Sequence, residues 1–474
     1  MALFFKAIMG ELGFLVGKYS KTTTPTTEDK RIHNLERLLL RVRVIIEEAE
    51  RRLITNKAMV HQLNLLRKEM YVGYFIMDNL RCQGIEDKGH DVSHSFSLSK
   101  FNPSKRLFFS NVDIDREKNL QQVIRNLNNL IQNVNEFIVF LKNYPPMYRQ
   151  PYSMHFVGMC MFGRQMEMDR IMDFLMQKEH SGTEGVHVLP IIGPAFVGKS
   201  TLVAYVCNDA RVRNCFSQIM VINGDDINNQ NLVDLKEGVT IMHQNNALGG
   251  NDRVLVVIEF SRDVDELSWK NLYSSSSVYL GRGSRMIITS RSNKVMEFGT
   301  TQALVLNFLP LEAYWYFFKI LTFGSTYSND HPRLESMAME IARELNGSFM
   351  CANVTSSFLR NNFNYQFWLV YLAQLKENIK RSISSFGEHP FDLMHKNKPM
   401  TWHFSDDEFV VYDKYRTCHT KEKSPRITLE DVVSRRVKYE EEFEVLQWKS
   451  QIQPYSSYIF SCLIQRAHDT RKEH

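Results

Sequence analysis

The sequence predicts an α/β protein of several domains, in which an N-terminal antiparallel helical bundle precedes a doubly wound parallel sheet. Two observations favour this class. Apolar residues recur at helical spacing through the first 145 residues, and short β-branched runs then alternate with segments compatible with helices. A chain of 474 residues is too long for one ordinary core. Its 43% hydrophobic and 23% charged residues are typical of a globular protein.

Three apolar stripes with steps of three and four residues predict the helices of the bundle. Each stripe lasts about three heptads, so we expect an antiparallel bundle over residues 1–145 rather than a long coiled coil. The function of such a bundle would be contact with other proteins, by self-association or through a full-length relative. The stripe residues are Ile32, Leu35, Leu39, Val42, Ile46, Ala49 and Leu53, then Leu63, Leu66, Met70, Gly73, Met77 and Leu80, then Leu120, Val123, Leu127, Leu130, Val134, Phe137 and Leu141.

The net charge and the cysteine pattern limit which classes of partner and which cellular compartment the sequence predicts. The net charge of +5 is small for this length, and we expect no direct binding of nucleic acid. The seven cysteines are scattered and never form a CxxC pair, which is typical of a reducing compartment. The apolar N-terminus is interrupted by Lys6 and Glu11, which favours an amphipathic helix over a signal peptide. No apolar stretch reaches the length of a membrane span, so the expected location is cytoplasmic, and no feature supports membrane contact.

The stretch "GPAFVGKST" has the GxxxxGK[ST] spacing of a phosphate-binding loop (P-loop). An apolar run at Val186–Ile192 predicts a strand before it, and helical character begins at Lys199. Backbone N–H groups of such a loop, with the positive end of the following helix, form a nest for phosphate oxygens. The predicted nucleotide-binding residues of the loop are Gly193, Pro194, Ala195, Phe196, Val197, Gly198, Lys199, Ser200 and Thr201.

Three residues of this loop are expected to affect nucleotide binding in specific ways. Lys199 would neutralise the β- and γ-phosphates, and the Ser200 hydroxyl would coordinate Mg²⁺. Phe196 stands where such loops usually carry glycine, and a positive φ at a bulky residue costs about 1–2 kcal/mol. We therefore expect weakened rather than abolished affinity for the nucleotide.

Further apolar runs predict the other strands, at Ser217–Gly224, Arg253–Phe260, Ser284–Arg291 and Leu304–Leu309. Because ligands bind at the carboxyl ends of parallel strands, Gly193, Glu259 and Arg291 are expected to converge there. Glu259 is the second predicted ligand of Mg²⁺, although it could also be a strand-end charge without a metal. Phe260 cannot act as a base, and a missing base costs roughly 10²–10⁴ in rate, so ATP hydrolysis should be weak at most and no catalytic residue is assigned.

Together these segments resemble the plant nucleotide-binding leucine-rich-repeat (NB-ARC) disease-resistance proteins with a coiled-coil N-terminal domain of the Rx type. The resemblance covers residues 1–375. The helix "LRKEMYVGYFIMDNL" is similar to that family's EDVID helix, and "FGRQMEMDRIMDFL" is similar to the segment that opens its nucleotide domain. "LVVIEF", "GSRMIITSRS" and "LPLEAYWYFFKILTFG" follow in the family's order.

The resemblance implies a molecular switch in plant innate immunity that binds ADP or ATP with Mg²⁺. ADP would lock a closed form, exchange for ATP would open it, and Arg291 would sense the γ-phosphate. It also implies domains at 158–310 (nucleotide-binding) and 311–375 (a helical domain of the ARC type). Two departures concern the site and the form of the chain. Phe349 replaces the proline of the family's GLPLA loop, and a leucine repeat is absent, which implies a truncated form.

Residues 376–474 are not assigned a role by their sequence. "RITLEDVV" and "FEVLQW" predict strands, whereas "HKNKP" and "RTCHTKEK" predict exposed loops. His395, His403 and His419 lack the spacing of metal ligands, and we interpret "AHD" near the C-terminus as a coincidental likeness to the family's MHD motif. Two alternatives to the switch stay open: an active P-loop NTPase, and a scaffold or decoy that has lost its nucleotide and acts through the helical bundle.

Overall fold

The structure of the protein is a computed structural model. It describes residues 27–50, 52, 54, 56–86, 103–144, 162–177, 185–224, 239–244, 253–261, 263–280, 282–324, 326, 328–395, 398, 400–404, 407–416, 427, 431–432, 442–450, 452–454 and 457–466. The chain divides into two compact units. The first comprises Met1–Gly158, Leu309–Arg343 and Leu359–Trp368, and the second comprises Met159–Phe308, Glu344–Phe358 and Leu369–His474.

The first unit contains the N-terminal helices, and their apolar stripes face one another. These helices are α1 (Thr27–Glu50), α2 (Lys57–Glu86), α3 (Pro103–Asn133) and α4 (Asn135–Leu141). Most stripe residues are at most 5% exposed, so the predicted helix faces are confirmed. Ile32, Leu80 and Leu130 are only partly buried, and Leu53 lies outside the described residues.

Helix α9 (Leu311–Phe323) also belongs to the first unit and packs against α2. The ring of Tyr316 lies 5.1 Å from the ring of Tyr71 and 5.4 Å from that of Tyr74, measured between centroids. Pro310 precedes the helix and Gly324 ends it. The helices that follow α9 along the chain are α10 (Pro332–Glu344), α11 (Phe349–Asn361), α12 (Tyr365–Phe386) and α13 (Pro390–His395).

The second unit contains the predicted parallel sheet. Its strands are β1 (His187–Ile192), β2 (Gln218–Asn223), β3 (Val239–Gln244), β4 (Val254–Glu259), β5 (Arg285–Ser290) and β6 (Leu304–Val305), in the order β3-β2-β4-β5-β1-β6. All neighbouring strands run parallel except β2 and β3. Sequence reasoning missed β3 because this edge strand buries only Met242 and so shows no apolar run.

Helices cover both faces of this sheet, which confirms the doubly wound α/β class. Helices α5 (Gln165–Met176), α6 (Lys199–Cys207) and α7 (Ala210–Cys215) pack on one face, and α8 (Glu266–Tyr279) packs on the other. Strand β1 serves both cores because successive side chains point to opposite faces. Leu189 and Ile191 join the first core, and Val188 joins the second.

A second, antiparallel sheet lies in the C-terminal segment, to which the sequence assigned no role. Its strands are β7 (Met400–Phe404), β8 (Asp407–Arg416), β9 (Glu442–Lys449) and β10 (Ser457–Arg466), in the order β7-β8-β10-β9. Strand β9 confirms the prediction for "FEVLQW". The described residues of "RITLEDVV", namely Ile427, Asp431 and Val432, are not in a strand, and "AHD" lies outside the described residues.

Among the helices that the structure describes, none combines the length and the apolar character needed to span a bilayer.

Candidate nucleotide-binding site

The predicted phosphate loop connects the end of β1 to the start of α6, as its sequence spacing requires. Gly193 follows the last residue of β1, and its N–H donates to the Ser290 carbonyl at 3.3 Å. A Cβ atom at this position would lie 2.4 Å from the Leu306 carbonyl oxygen, so only glycine fits. The loop is therefore fixed at its first residue by both neighbouring strands, β5 and the segment after β6.

The end of the loop presents the N-terminus of helix α6. Gly198 is the N-cap residue, with a φ of 92° and no side chain to bond the first-turn amides. Ser200 and Thr201 lie in that first turn and are partly buried. Val197 is 0% exposed and Ala195 is 2% exposed, so these two can offer a ligand only their backbone. Unbonded amides at a helix N-terminus favour an anion.

Lys199 lies along the loop that precedes it. Its Nζ donates to the carbonyl oxygens of Gly193 at 2.7 Å and Pro194 at 2.8 Å. Burial, assisted by the positive charge of Arg291, lowers the pKa of Lys199 to about 7, against a smaller opposing effect of Glu259. A phosphate anion is a stronger acceptor than these neutral carbonyls, and it would restore the full charge of the ammonium group.

Phe196 adopts the positive φ that sequence reasoning anticipated, at 60°. Its carbonyl accepts a hydrogen bond from the N–H of Phe349 at 3.2 Å. Phe349 is the first residue of α11, and its ring lies beside Gly198. In the sequence, Phe196 and Phe349 are two separate departures from the family pattern. In the structure they are joined by this hydrogen bond. A proline at position 349 has no N–H and could not make this bond.

The two charged residues predicted at the strand ends lie on adjacent strands. Glu259 ends β4, and Arg291 follows β5, which runs between β4 and β1. The pKa of Lys199 responds to both charges, so the three predicted charged groups lie at one edge of the sheet. Phe260, in contrast, is 5% exposed and belongs to the core under the sheet. It occupies the position of a base without being able to act as one.

Arg164 is a residue of the site that sequence reasoning did not single out. It is 7% exposed, and its Nη2 donates to the Val197 carbonyl in the loop at 3.3 Å and to the Asn307 carbonyl. Burial lowers its pKa, opposed by Glu167, whose carboxylate lies 3.2 Å from Nη1. The signal was present in the "GR" of "FGRQMEMDRIMDFL", which the sequence analysis used only as a family motif. Arg164 fixes the position of the loop backbone.

Comparisons with known proteins agree with this geometry. The family model described as the NB-ARC domain matches residues 164–327. The chain is 25% identical to disease resistance protein RGA2 of Solanum bulbocastanum over 336 residues, which is 67% of this chain and 33% of that protein. It is 29% identical to RGA1 of the same species over 213 residues, or 42% of this chain and 22% of RGA1.

A relative from a second plant extends the comparison. The chain is 30% identical to RPP13-like protein 1 of Arabidopsis thaliana over 191 residues, which is 38% of this chain and 18% of that protein. The matched parts thus span a third or less of the relatives' own length. With a phosphate loop at the carboxyl edge of an α/β sheet, residues 164–327 match the NB-ARC domain, and parts of the chain are similar to plant disease resistance proteins.

Proposed function

We propose that this protein is a nucleotide-binding switch of plant innate immunity, which binds ADP or ATP with Mg²⁺ and signals through protein contacts. The observation that carries the proposal is the meeting of the phosphate loop, Lys199, Glu259 and Arg291 at one edge of the sheet. The match to the NB-ARC domain and the disease resistance proteins among its relatives support the same role.

The residues present fit a nucleoside diphosphate or triphosphate. The amides of the loop and of the first turn of α6 would receive phosphate oxygens, and Lys199 would neutralise them. Ser200 and Glu259 would coordinate Mg²⁺, which supplies positive charge between the phosphates when it is bound. Because Phe260 lies in the core, no base is proposed, and the site is suited to binding rather than to rapid hydrolysis.

The proposed protein contacts involve the N-terminal helices. Val44 is 58% exposed on α1, and Val139 and Phe140 are 61% and 54% exposed on α4. Exposed apolar side chains of this size on one helical unit are compatible with a partner surface. We propose other proteins, including a second copy or a longer relative, as partners through this bundle.

One observation favours the alternative of a scaffold without nucleotide. Lys199 already bonds two carbonyl groups of its own loop, and a nucleotide must replace both bonds. The two candidates differ in what the purified protein contains. Under the switch proposal, protein denatured after purification should release ADP, and under the scaffold alternative it should release none.

Substitution of Lys199 tests the site itself. The Lys199→Ala protein should lose its bound ADP, because no other ammonium group of the loop can replace the lost charge, while far-ultraviolet circular dichroism stays unchanged. Lys294→Ala is the matched control, since Lys294 is 72% exposed and pairs with Asp263 outside the loop. Nucleotide released by mass spectrometry is the measurement. Retention of ADP by Lys199→Ala would show that the site has been assigned wrongly.

A further inference from the structure

The C-terminal sheet contributes a side chain to the rim of the phosphate loop. Tyr458, the second residue of β10, accepts a hydrogen bond on its hydroxyl from Arg291 Nη2 at 3.2 Å. Its ring meets the ring of Phe196 edge to face, with 5.2 Å between centroids and an interplanar angle of 66°. The Arg291 Cζ atom lies 6.0 Å from the Phe196 ring centroid. We call Phe196, Arg291 and Tyr458 the rim cluster.

The turn before β10 is attached to the same part of the second unit. The Gln453 carbonyl accepts from Asn208 Nδ2 at 3.2 Å, and its Oε1 accepts from Arg213 Nη2 at 3.3 Å. Asn208 ends α6, the helix that begins at the phosphate loop, and Arg213 lies in α7. Pro454 is buried next to this contact. Tyr458 is thus held at the rim by Arg291 and Phe196, and the turn before it is held by residues that follow the C-terminal end of α6.

We propose that Tyr458 sets the preference of this site for a diphosphate over a triphosphate, an inference that rests on the proposed nucleotide binding. Arg291 follows β5, the strand between β1, which leads into the phosphate loop, and β4, which ends at Glu259. We place the third phosphate of a bound triphosphate toward this position. A γ-phosphate that takes Nη2 of Arg291 must compete with the Tyr458 hydroxyl for that donor. A diphosphate ends before this point and leaves the rim cluster intact.

The competition costs the triphosphate a hydrogen bond from a charged donor. When Nη2 of Arg291 turns to the γ-phosphate, the Tyr458 hydroxyl loses this donor. One such bond corresponds to about tenfold in affinity. Binding of a triphosphate therefore breaks the hydrogen bond between Arg291 and Tyr458, whereas binding of a diphosphate does not.

The variant Tyr458→Phe tests this role because it removes the hydroxyl and keeps the ring against Phe196. Isothermal titration would measure Kd for MgADP and for the magnesium complex of a non-hydrolysable ATP analogue. We expect the analogue to bind about tenfold more tightly than it binds the wild type, with the Kd of MgADP changed less than about twofold. The matched control is Tyr273→Phe on helix α8. It removes a hydroxyl that donates to the Val186 carbonyl at 3.1 Å. It should change neither Kd.

A double-mutant cycle separates the route through Arg291 from a general effect on the fold. In an Arg291→Ala background, Tyr458→Phe should no longer change the ratio of the two Kd values. An unchanged ratio in the single variant, or a changed ratio that persists without Arg291, overturns the inference. If the wild type binds neither ligand, the proposed nucleotide binding itself is wrong, and that outcome is distinct from binding with an unchanged ratio.

Discussion

Phe196 shows how a residue that sequence reasoning counts as a defect is accommodated. Its φ of 60° lies in the left-handed region that side chains rarely adopt. Its carbonyl is bonded by the Phe349 amide, and its ring is held against Tyr458. These contacts offset the roughly 1–2 kcal/mol that the backbone conformation costs. The sequence predicted the cost from one position, but neither compensating contact, because both come from residues more than 150 positions away.

Paired substitutions at position 196 test whether the backbone there is strained. Phe196→Ala and Phe196→Gly both lose the ring contacts, so both should be less stable than the wild type. Only glycine relieves the positive φ, so Phe196→Gly should be more stable than Phe196→Ala by about 0.5–1 kcal/mol. The measurement is the free energy of unfolding in urea.

The control for this comparison is the same pair of substitutions in a regular helix. Ser274 is exposed in α8, within the same unit. There the usual order applies, and Ser274→Gly should be less stable than Ser274→Ala by about 1 kcal/mol. The same order of stability at both positions would mean that the loop backbone at Phe196 is not strained.

At the scale of elements, helix α2 and helix α9 of the first unit are joined by buried charges. Asp78 is 0% exposed and accepts from Trp315 Nε1 at 2.9 Å. Lys319 Nζ donates to both Asp78 oxygens at 3.0 Å and lies 2.7 Å from Glu335 Oε1. Burial lowers the pKa of Lys319, but the two carboxylates outweigh it and raise the pKa above its ordinary value. Asp78, the acidic residue of "FIMDNL", thus joins α2 to α9 within the first unit.

Removal of Lys319 should destabilise the first unit strongly. Lys319→Met leaves two buried carboxylates without their shared cation, which costs about 3–5 kcal/mol. Lys68→Met is the matched control, since Lys68 is exposed on α2, and it should change stability by less than about 0.5 kcal/mol. Thermal and urea unfolding measure both. Equal, small effects of the two substitutions would show that the charge cluster contributes little to stability.

Some strands and loops are predictable from the sequence and others are not, and the difference has physical causes. Strands β1, β4 and β5 are buried on both faces, and such strands appear as continuous apolar runs. The loop is predicted because phosphate binding fixes its spacing. Strands β7, β8 and β10 were not predicted, although β10 pairs with the predicted strand β9 as well as with β8. Tyr458 was missed because a contact between residues 167 positions apart leaves no local pattern in the sequence.

At the scale of the whole molecule, the candidate site is assembled from distant parts of one unit. Arg164 and the loop come from its first segment, Phe349 from its second and Tyr458 from its third. A domain map drawn from the sequence alone assigns these residues to separate regions. Binding of a ligand at the loop should therefore stabilise the whole second unit against unfolding. Because Lys199 has a pKa near neutral pH, this stabilisation should depend on pH.

The sign of this dependence follows from the protonation of Lys199. Without nucleotide, Lys199 loses its proton as the pH rises through about 7. Phosphates bind the protonated form, so binding takes up a proton above this pH, and affinity falls as the pH rises. From pH 6.5 to 8.5 the protonated fraction falls about 25-fold, and Kd should rise in proportion. Kd stops rising only when the pH exceeds the pKa of Lys199 in the complex, which is higher than its pKa in the free protein.

MgADP at about 100 times its Kd at pH 6.5 should stabilise the second unit by about 2.7 kcal/mol. At pH 8.5 the same concentration is only about four times Kd, and the stabilisation should fall to about 1 kcal/mol. Urea unfolding with and without MgADP at the two pH values measures this difference. Lys199→Arg is the control, because a guanidinium keeps its charge throughout this range. Ionisation of ADP itself is common to both proteins, so an equal pH dependence in wild type and Lys199→Arg would remove Lys199 as its source.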